Sequence, residues 1–365
     1  MKEVKFLNLR AQNHSIRDEI LAAFENVLDS GFYVSGENVE QFEQYFSRVH
    51  NSKYAIGCNS GTSAIEIILR SLDVGPGDEV IIPAMTFVAT MEAVVAVGAT
   101  PVLVDVDLTS WNLCLDSAKK AISVRTKAML FVHLHGSTIG VNEVKKFCEE
   151  NNILLIEDAA QAHLATNNGV SVGQFGIAAA FSFYPGKNLG ALGEGGAILT
   201  NSIALKEKAE LVRNWGARQK YRHEIRGSNF RMDELQAAIL SVKLKRLADW
   251  TEKRRELAQI YDEFFEKHEI HGPFNPNGEH VFHIYAVRLD NRDKVSEYLK
   301  ARGIQTGIHY PKSLDTLSAW EPYFKLGDNT TNAHNLADNL LSLPLNEFLV
   351  EDDILYVTDT LLEML

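Results

Sequence analysis

The chain is poor in cysteine and proline, with three and nine among its 365 residues. Cys58, Cys114 and Cys148 stand apart without CxxC spacing, which excludes a zinc-ribbon pattern and a disulfide framework and fits a reducing compartment. No apolar run approaches the roughly 20 residues that a membrane helix needs, and the opening MKEVKFLNLRAQ has no apolar signal-like core. A cytoplasmic protein with no membrane partner is expected. Positive charge is in deficit: 36 Lys and Arg against 48 Asp and Glu leave a formal charge of -12, which argues against nucleic acid as a partner. No GxGxxG links a first strand to its helix, so a dinucleotide site is not indicated.

What is present is an ordinary globular composition, 45% hydrophobic and long enough for two domains. Ile16, Ile20, Ala23, Phe24 and Val27 recur at helical spacing over 13–30, behind caps at Asn13 and Ser15, and Gly31 ends that helix. A second helix starts at Ser35 with Val39, Phe42, Tyr45 and Phe46 on its apolar face. Short apolar runs then alternate with helical stretches: YAIGC at 54–58, EVIIP at 79–83, PVLVDV at 101–106, AMLFVHL at 128–134 and ILLIEDA at 153–159. Near-continuous apolar runs of this kind are strands buried on both faces, and their alternation with helices predicts a largely parallel sheet. The runs AAAFSF and GAILT complete it. Beyond 201 the texture becomes helical, with a hinge expected near Lys243. A turn-rich GPFNPNGE, the strand FHIYAVRL, a helix at 292–303, a short strand GIQTGIHY and two terminal helices make a smaller α/β unit. The expected domains are 1–243 and 244–365.

The chain is organised around FSFYPGKNLG at 181–190. A strand-like run leads to a turn at Pro185 and Gly186 that presents Lys187, followed by glycine-rich GALGEGGA. A lysine amine is nucleophilic only when deprotonated, and partial burial brings it to that state near neutral pH. Such a lysine can form a Schiff base with pyridoxal phosphate (PLP), although a solvated loop lysine fits the stretch as well. NSGT at 59–62 opens a helix and exposes backbone N–H groups that favour a phosphate; a plain capped helix reads the same way. Asp158 ends an apolar strand where open α/β sheets place ligands, and would pair with a protonated ring nitrogen or merely cap the next helix. Phe87 could stack on a planar ring or belong to the core, and Ser182 could meet a phosphate or satisfy backbone. Gln161 and His163 could contact a ligand or one another. His133 and His135 alternate along a strand and so face opposite ways, which makes a shared metal improbable. Arg222, His223, Arg226 and Arg231 form a basic patch, either a solvated face or a grip on an anionic substrate.

These residues sit in long motifs: SGTSAI at 60–65, PAMTFVAT at 83–90, GATPVLVDVD at 98–107, EDAAQAH at 157–163, FSFYPGKNLGALGEGGA at 181–197, GSNFRMDELQAA at 227–238 and SLPL at 342–345. Through them the chain resembles the PLP-dependent nucleotide-sugar aminotransferases of the DegT/DnrJ/EryC1/StrS family, nearly end to end. The resemblance implies the aspartate-aminotransferase type of α/β fold, a large mostly parallel sheet of the seven-stranded type with a smaller C-terminal α/β domain. It makes Lys187 the Schiff-base lysine, Asp158 the partner of the pyridine nitrogen, Phe87 the stacking ring and Gln161 the contact to the ring hydroxyl. Gly61, Thr62 and Ser182 would hold the phosphate, and Asn229 would reach it from the neighbouring subunit of a homodimer with shared sites. Substrate contacts are expected from His163, Tyr184, Tyr221, Arg231, His309 and Tyr310. Two positions depart from the pattern: Leu164 stands where the family usually has glycine, and Asp315 stands at about the position of a usual histidine.

The expected reaction moves an amino group from glutamate to a nucleotide-linked keto-sugar, with no metal. FYPGK at 183–187 and RNWGARQKYRHE at 213–224 resemble the subgroup that acts at C-3 of a dTDP-3-keto-6-deoxyhexose. C-4 and keto-inositol enzymes, and a non-catalytic regulator on the same fold, remain alternatives. The product would feed a surface glycan such as a lipopolysaccharide O-antigen, or a glycosylated metabolite.

Overall fold

The structure, a computed structural model, describes residues 2–273 and 279–364. Part of the expected turn-rich segment, 274–278, lies outside the described residues.

Five apolar runs become the strands β1 (Tyr54–Cys58), β2 (Glu79–Pro83), β3 (Thr100–Val104), β4 (Thr126–Val132) and β5 (Leu154–Asp158). A small hairpin, β6 (Thr166–Asn167) and β7 (Val170–Ser171), precedes β8 (Ala178–Ser182) and β9 (Gly196–Thr200). The main sheet has the order β1-β9-β8-β5-β4-β2-β3. Only β9 runs antiparallel to its neighbours; the pairs among β8, β5, β4, β2 and β3 are parallel. Residue alternation shows why both faces are apolar. Ala178 and Ala180 enter one hydrophobic cluster, while Ala179 and Phe181 enter the other.

Helices cover both faces, as right-handed crossovers require. The N-terminal stretch forms α1 (Leu9–Ser15) and α2 (Arg17–Ser30), followed by α3 (Glu37–Val49), α4 (Gly61–Ser71), α5 (Val88–Ala96), α6 (Leu115–Ala121), α7 (Val141–Asn151), α8 (Ile203–Arg213), α9 (Glu234–Leu244) and α10 (Leu247–Lys267). The single helix expected over 13–30 is thus two. The chain breaks at Ile16, and the first cap is Asn8, whose side chain accepts from the Ala11 N–H at 3.2 Å. Gly31 does end α2, in the left-handed region at φ 67°. A hairpin of β10 (Ala217–Gln219) and β11 (Arg222–His223) carries Arg222 and His223 of the basic patch, and Arg231 lies beyond it, bridging Cys58.

The C-terminal part contributes β12 (Tyr285–Arg288), α11 (Arg292–Ala301), β13 (Lys325–Leu326), α12 (Thr331–Asn339), β14 (Leu340–Leu343) and α13 (Glu351–Leu362). Its apolar cluster joins Leu257, Tyr261 and Phe265 of α10 to Tyr285, Leu341 and Val357. The expected strand GIQTGIHY does not form. There Ile304 makes one bridge to Val4 and Gly307 one to Ser342, and β14 pairs with β12 instead. Two-residue β13 crosses back to pair with β3, adding an eighth strand to the large sheet. No helix among the described residues is long and apolar enough to cross a membrane.

Candidate active site

A cavity of about 540 Å³ opens at the end of the sheet where β5 and β8 terminate. Its wall includes Gly61, Thr62, Phe87, Asp158, Gln161, Ser182, Tyr184, Lys187, His309 and Tyr310, ten of the residues singled out from sequence.

Lys187 is placed by two devices. The turn at Pro185 and Gly186 closes with the Lys187 N–H donating to the Tyr184 carbonyl at 2.8 Å. The next residue, Asn188, donates from Nδ2 to the Val281 carbonyl at 3.0 Å, so the loop is tied to the segment leading into β12. Burial lowers the Lys187 amine to about 8, with the Asp158 carboxylate opposing that shift. A substantial fraction is therefore neutral at mildly alkaline pH, which a nucleophilic amine requires.

Asp158 is the last residue of β5, and burial raises its carboxyl above the usual range. Thr90 Oγ1 donates to its Oδ2 at 2.8 Å, the Ala160 N–H reaches Oδ1 at 3.2 Å, and the Lys187 and His133 charges also favour the anion. Gln161 is oriented by its neighbours: its Oε1 accepts from the His135 N–H at 2.5 Å, and its Nε2 donates to the Tyr310 hydroxyl at 3.0 Å. Phe87 is 54% exposed and lies 5.5 Å from the Tyr310 ring, tilted by 37°. It is a cavity wall, not core.

At the other end of the cavity, Gly61 begins α4. The N–H groups of Gly61 and Thr62 head that helix and have no carbonyl within it to bond, while the cap Ser60 accepts from the Ser63 N–H at 3.1 Å. Glycine is required here by contact: a Cβ on Gly61 would lie 2.7 Å from Ser182 Cβ. The start of α4 is as close to β9, where a Cβ on Gly196 would sit 2.3 Å from the Ser60 carbonyl. A helix N-terminus, a serine hydroxyl, an aromatic wall, a buried carboxylate, an outward amide donor and a depressed lysine fit a planar cofactor with a phosphate at one end.

Four expected residues lie elsewhere. His163 is fully buried, 5.4 Å from the Phe181 ring and 5.7 Å from that of Phe183. It packs against those two rings and is not among the residues that line the cavity. Tyr221 and Arg231 line a separate basic hollow of about 640 Å³ with Arg218 and Lys220. Asn229 bridges Asn214 through its backbone. His133 and His135 lie beyond the end of β4 and do not alternate along it, since His135 adopts φ 59°. His133 Nε2 meets Glu157 at 3.0 Å, and His135 Nε2 meets the His309 carbonyl at 3.1 Å.

The two departures resolve structurally. Leu164 holds φ 63°, the left-handed region that glycine enters freely and a leucine enters at a cost of ~1–2 kcal/mol. The backbone is thus the one a glycine would allow. Asp315 points away from the cavity, pairing with His334 Nε2 at 2.7 Å and Thr330 Oγ1 at 2.9 Å.

Sequence reasoning passed over Thr86, Thr90, His283 and Phe6, which also line the cavity. Phe6 stacks on His309 at 5.7 Å, and His283 contacts Asn188 Oδ1 at 3.2 Å. Only Thr90 left a signal, three residues beyond Phe87 and so on the same side of one helical turn.

Residues 14–362 match the DegT/DnrJ/EryC1/StrS aminotransferase family. The chain is 41% identical to the erythromycin biosynthesis sensory transduction protein EryC1 of Saccharopolyspora erythraea, covering 98% of this chain and 99% of that one. It is 40% identical to a dTDP-3-amino-3,4,6-trideoxy-alpha-D-glucose transaminase of Streptomyces venezuelae, covering 99% and 96%. It is 38% identical to a UDP-N-acetyl-3-dehydro-alpha-D-glucosamine 3-aminotransferase of Acidithiobacillus ferrooxidans, covering 96% and 95%. Among solved structures, DesV of S. venezuelae superposes with a TM-score of 0.96 at 39% identity, covering 100% of this chain and 99% of that one. NtdA of Bacillus subtilis, with bound cofactor PMP, superposes at 0.93 and 30% identity, covering 100% and 85%. The expected fold class is the observed one.

Proposed function

Because the chain belongs to the DegT/DnrJ/EryC1/StrS aminotransferase family, we propose that this PLP-dependent nucleotide-sugar aminotransferase transfers the amino group of glutamate to C-3 of a dTDP-linked 3-keto-6-deoxyhexose. The observation that supports the position is shared by relatives at 40% and 38% identity: both are named for a nitrogen at position 3, although one name is of a dTDP-linked sugar and the other of a UDP-linked one. That split makes a UDP-linked 3-keto sugar the second reading.

PLP supplies an electron-poor ring that takes up the electrons released when a carbon next to nitrogen loses its proton. The chain's residues do the rest. Lys187 holds the cofactor and moves the proton at its Nζ, a task suited to an amine that burial lowers to about 8. Asp158 pairs with the ring nitrogen, Phe87 covers one face, and Gln161 donates to the ring hydroxyl. Gly61, Thr62 and Ser182 receive the phosphate. Tyr184, His309 and Tyr310 are the sugar-side wall.

Among the described residues no arginine lines the cavity, so a diphosphate must find its cations elsewhere. Arg218, Lys220 and Arg231 of the hollow that also holds Tyr221 would supply them from a second copy, in a homodimer with shared sites where Asn229 reaches across to the cofactor phosphate. Residues 1–243 form the cofactor domain in this reading and 244–365 the smaller one. The enzyme would act in the cytoplasm, on sugar nucleotides destined for a surface glycan or a glycosylated metabolite.

The test offers matched dTDP-3-keto, dTDP-4-keto and UDP-3-keto sugars with glutamate and locates the new amine by NMR. Turnover of the dTDP-3-keto sugar with the amine at C-3 is expected. Efficient turnover of only the 4-keto sugar overturns the position, and of only the UDP sugar the nucleotide.

A further inference from the structure

Two threonine hydroxyls run in series to the carboxylate at the base of the cavity. Thr86 Oγ1 lies 3.1 Å from Thr90 Oγ1, and Thr90 Oγ1 lies 2.8 Å from Asp158 Oδ2. Thr90 is 0% exposed and Thr86 3%. An ionised carboxylate only accepts, so Thr90 must give it its one hydroxyl proton. The Thr90 oxygen is then left as an acceptor, and Thr86 must donate to it. The direction of the whole relay follows from the charge on Asp158.

Packing alone does not call for hydroxyls at these positions. Replacing both members of a buried hydrogen-bonded pair by apolar groups of the same shape is close to neutral, and valine has the shape of threonine. What a pair of valines would lack is the donor to Asp158. Thr90 sits in the first turn of α5, opened by Phe87 as its N-cap residue. One turn of helix therefore carries both the aromatic wall and the donor behind the carboxylate.

We infer that Thr90, with Thr86 behind it, is a positioning residue that keeps the proton shared between Asp158 and a bound cofactor's ring nitrogen on the nitrogen. The inference rests on the reading that Asp158 meets that nitrogen. Between the two sites the proton goes to the stronger base. A hydroxyl donated to Oδ2 stabilises the carboxylate as the anion and weakens it as a base. The Ala160 N–H on Oδ1 acts in the same sense and fixes the plane of the group. Without the Thr90 donor the proton moves toward oxygen, the ring becomes neutral, and its capacity to take up electrons falls.

The experiment loads the enzyme with PLP labelled with 15N at the ring nitrogen and reads that nitrogen's chemical shift. The wild type is expected at the pyridinium end, Thr90→Val displaced toward neutral pyridine, and Thr90→Ser back at the wild-type position. With Thr90→Val, kcat falls ~10- to 100-fold, the effect of one charge-assisted hydrogen bond, while KM for the sugar nucleotide stays within about threefold of wild type. Asp158→Asn separates the two levels of the argument. If it leaves the shift at the wild-type value, the pairing of Asp158 with the ring nitrogen is wrong. If it moves the shift and Thr90→Val does not, the pairing stands and the inference falls. Should Thr90→Val fail to fold, Thr86→Val takes its place with a smaller displacement in the same direction, and an unmoved shift there is equally fatal.

Discussion

The backbone N–H of His135 holds Gln161 Oε1 at 2.5 Å, and this one contact decides what Gln161 can offer the cavity. With its oxygen engaged, the amide turns its N–H groups outward and acts there only as a donor. Gln161→Glu keeps the shape but replaces the donor by a negative oxygen facing an anionic ring hydroxyl. Equilibrium dialysis should show PLP affinity lowered by ~30- to 150-fold, matching 2–3 kcal/mol for a lost bond and an unpaired charge. Gln161→Leu should lose less, since it removes the donor without adding repulsion.

Lys187 should capture its cofactor over an unusual pH range. Its amine is lowered to about 8, with burial the leading cause. In the cofactor-free enzyme the reactive neutral form is therefore minor below pH 8 and dominant above it. Borohydride fixation of PLP should rise through about pH 8 and then level, with the label on Lys187 by peptide mass mapping. A rise continuing beyond pH 10 would mark an ordinary solvated lysine. Lys187→Ala should show no fixation and no transamination.

The contact between α4 and β8 leaves no room for a methyl group. Gly61→Ala places a Cβ 2.7 Å from Ser182 Cβ and 3.2 Å from Ser182 Cα, so backbone must shift. The cost is ~1–3 kcal/mol of stability by denaturant titration, together with weaker PLP binding. Ser182→Gly in the same chain removes the clashing Cβ and should restore stability without restoring the serine hydroxyl.

Acid should destabilise the fold well above the carboxylate range. Burial lowers His50 and His309 to about 4 and His135 to about 3, and it holds His163 and His283 well below their usual value. As pH falls below 6.5 the unfolded chain takes up protons that the folded chain refuses, so stability drops, by up to about 1.4 kcal/mol per pH unit for each histidine. Asp262, raised to about 6 by burial, and Asp158, also raised, work the other way between their folded and unfolded values. The histidines outnumber them. Unfolding free energies should fall steeply from pH 6.5 to 4, and a flat profile there would contradict the buried neutral rings.

Mixed oligomers test the shared site. Lys187→Ala and Asn229→Ala are each expected to be inactive or nearly so. After subunit exchange, a mixed dimer regains one site with both residues, and activity should recover to about a quarter of wild type at equal mixing, half the dimers being mixed and each having one working site of two. No recovery after verified exchange would confine the site to one chain.

The sheet and the lysine turn were legible because the strands are buried on both faces and read as unbroken apolar runs. The turn was legible because Pro185 and Gly186 have few other uses. The Ile16 break was hidden because Ile16 and Ile20 keep helical spacing across it. GIQTGIHY resembled a strand, yet β12 takes its partner from 340–343, a choice made by tertiary packing that local alternation does not record. His163 stands two residues beyond Gln161, yet its ring packs against Phe181 and Phe183 and not along the cavity wall, a difference that spacing alone does not record. Thr90 escaped notice because its partner is 68 positions away, and such a hydrogen bond leaves no periodicity.

The placement of β9 also governs when the phosphate end of the site can exist. The sheet partner of β1 is β9, and the wall behind Ser60 and Gly61 is made by Gly196 and Ser182. On a ribosome adding ~5–20 residues per second, Gly196 follows Cys58 by on the order of 7–30 s. Until β8 and then β9 emerge, the wall around the exposed N–H groups of α4 is incomplete, and β1 is an unpaired edge that must be kept from other chains. The cofactor therefore cannot serve as an early template for the nascent chain. A truncated product ending before 196 would gain no protection from added PLP, whereas a chain carrying β9 would.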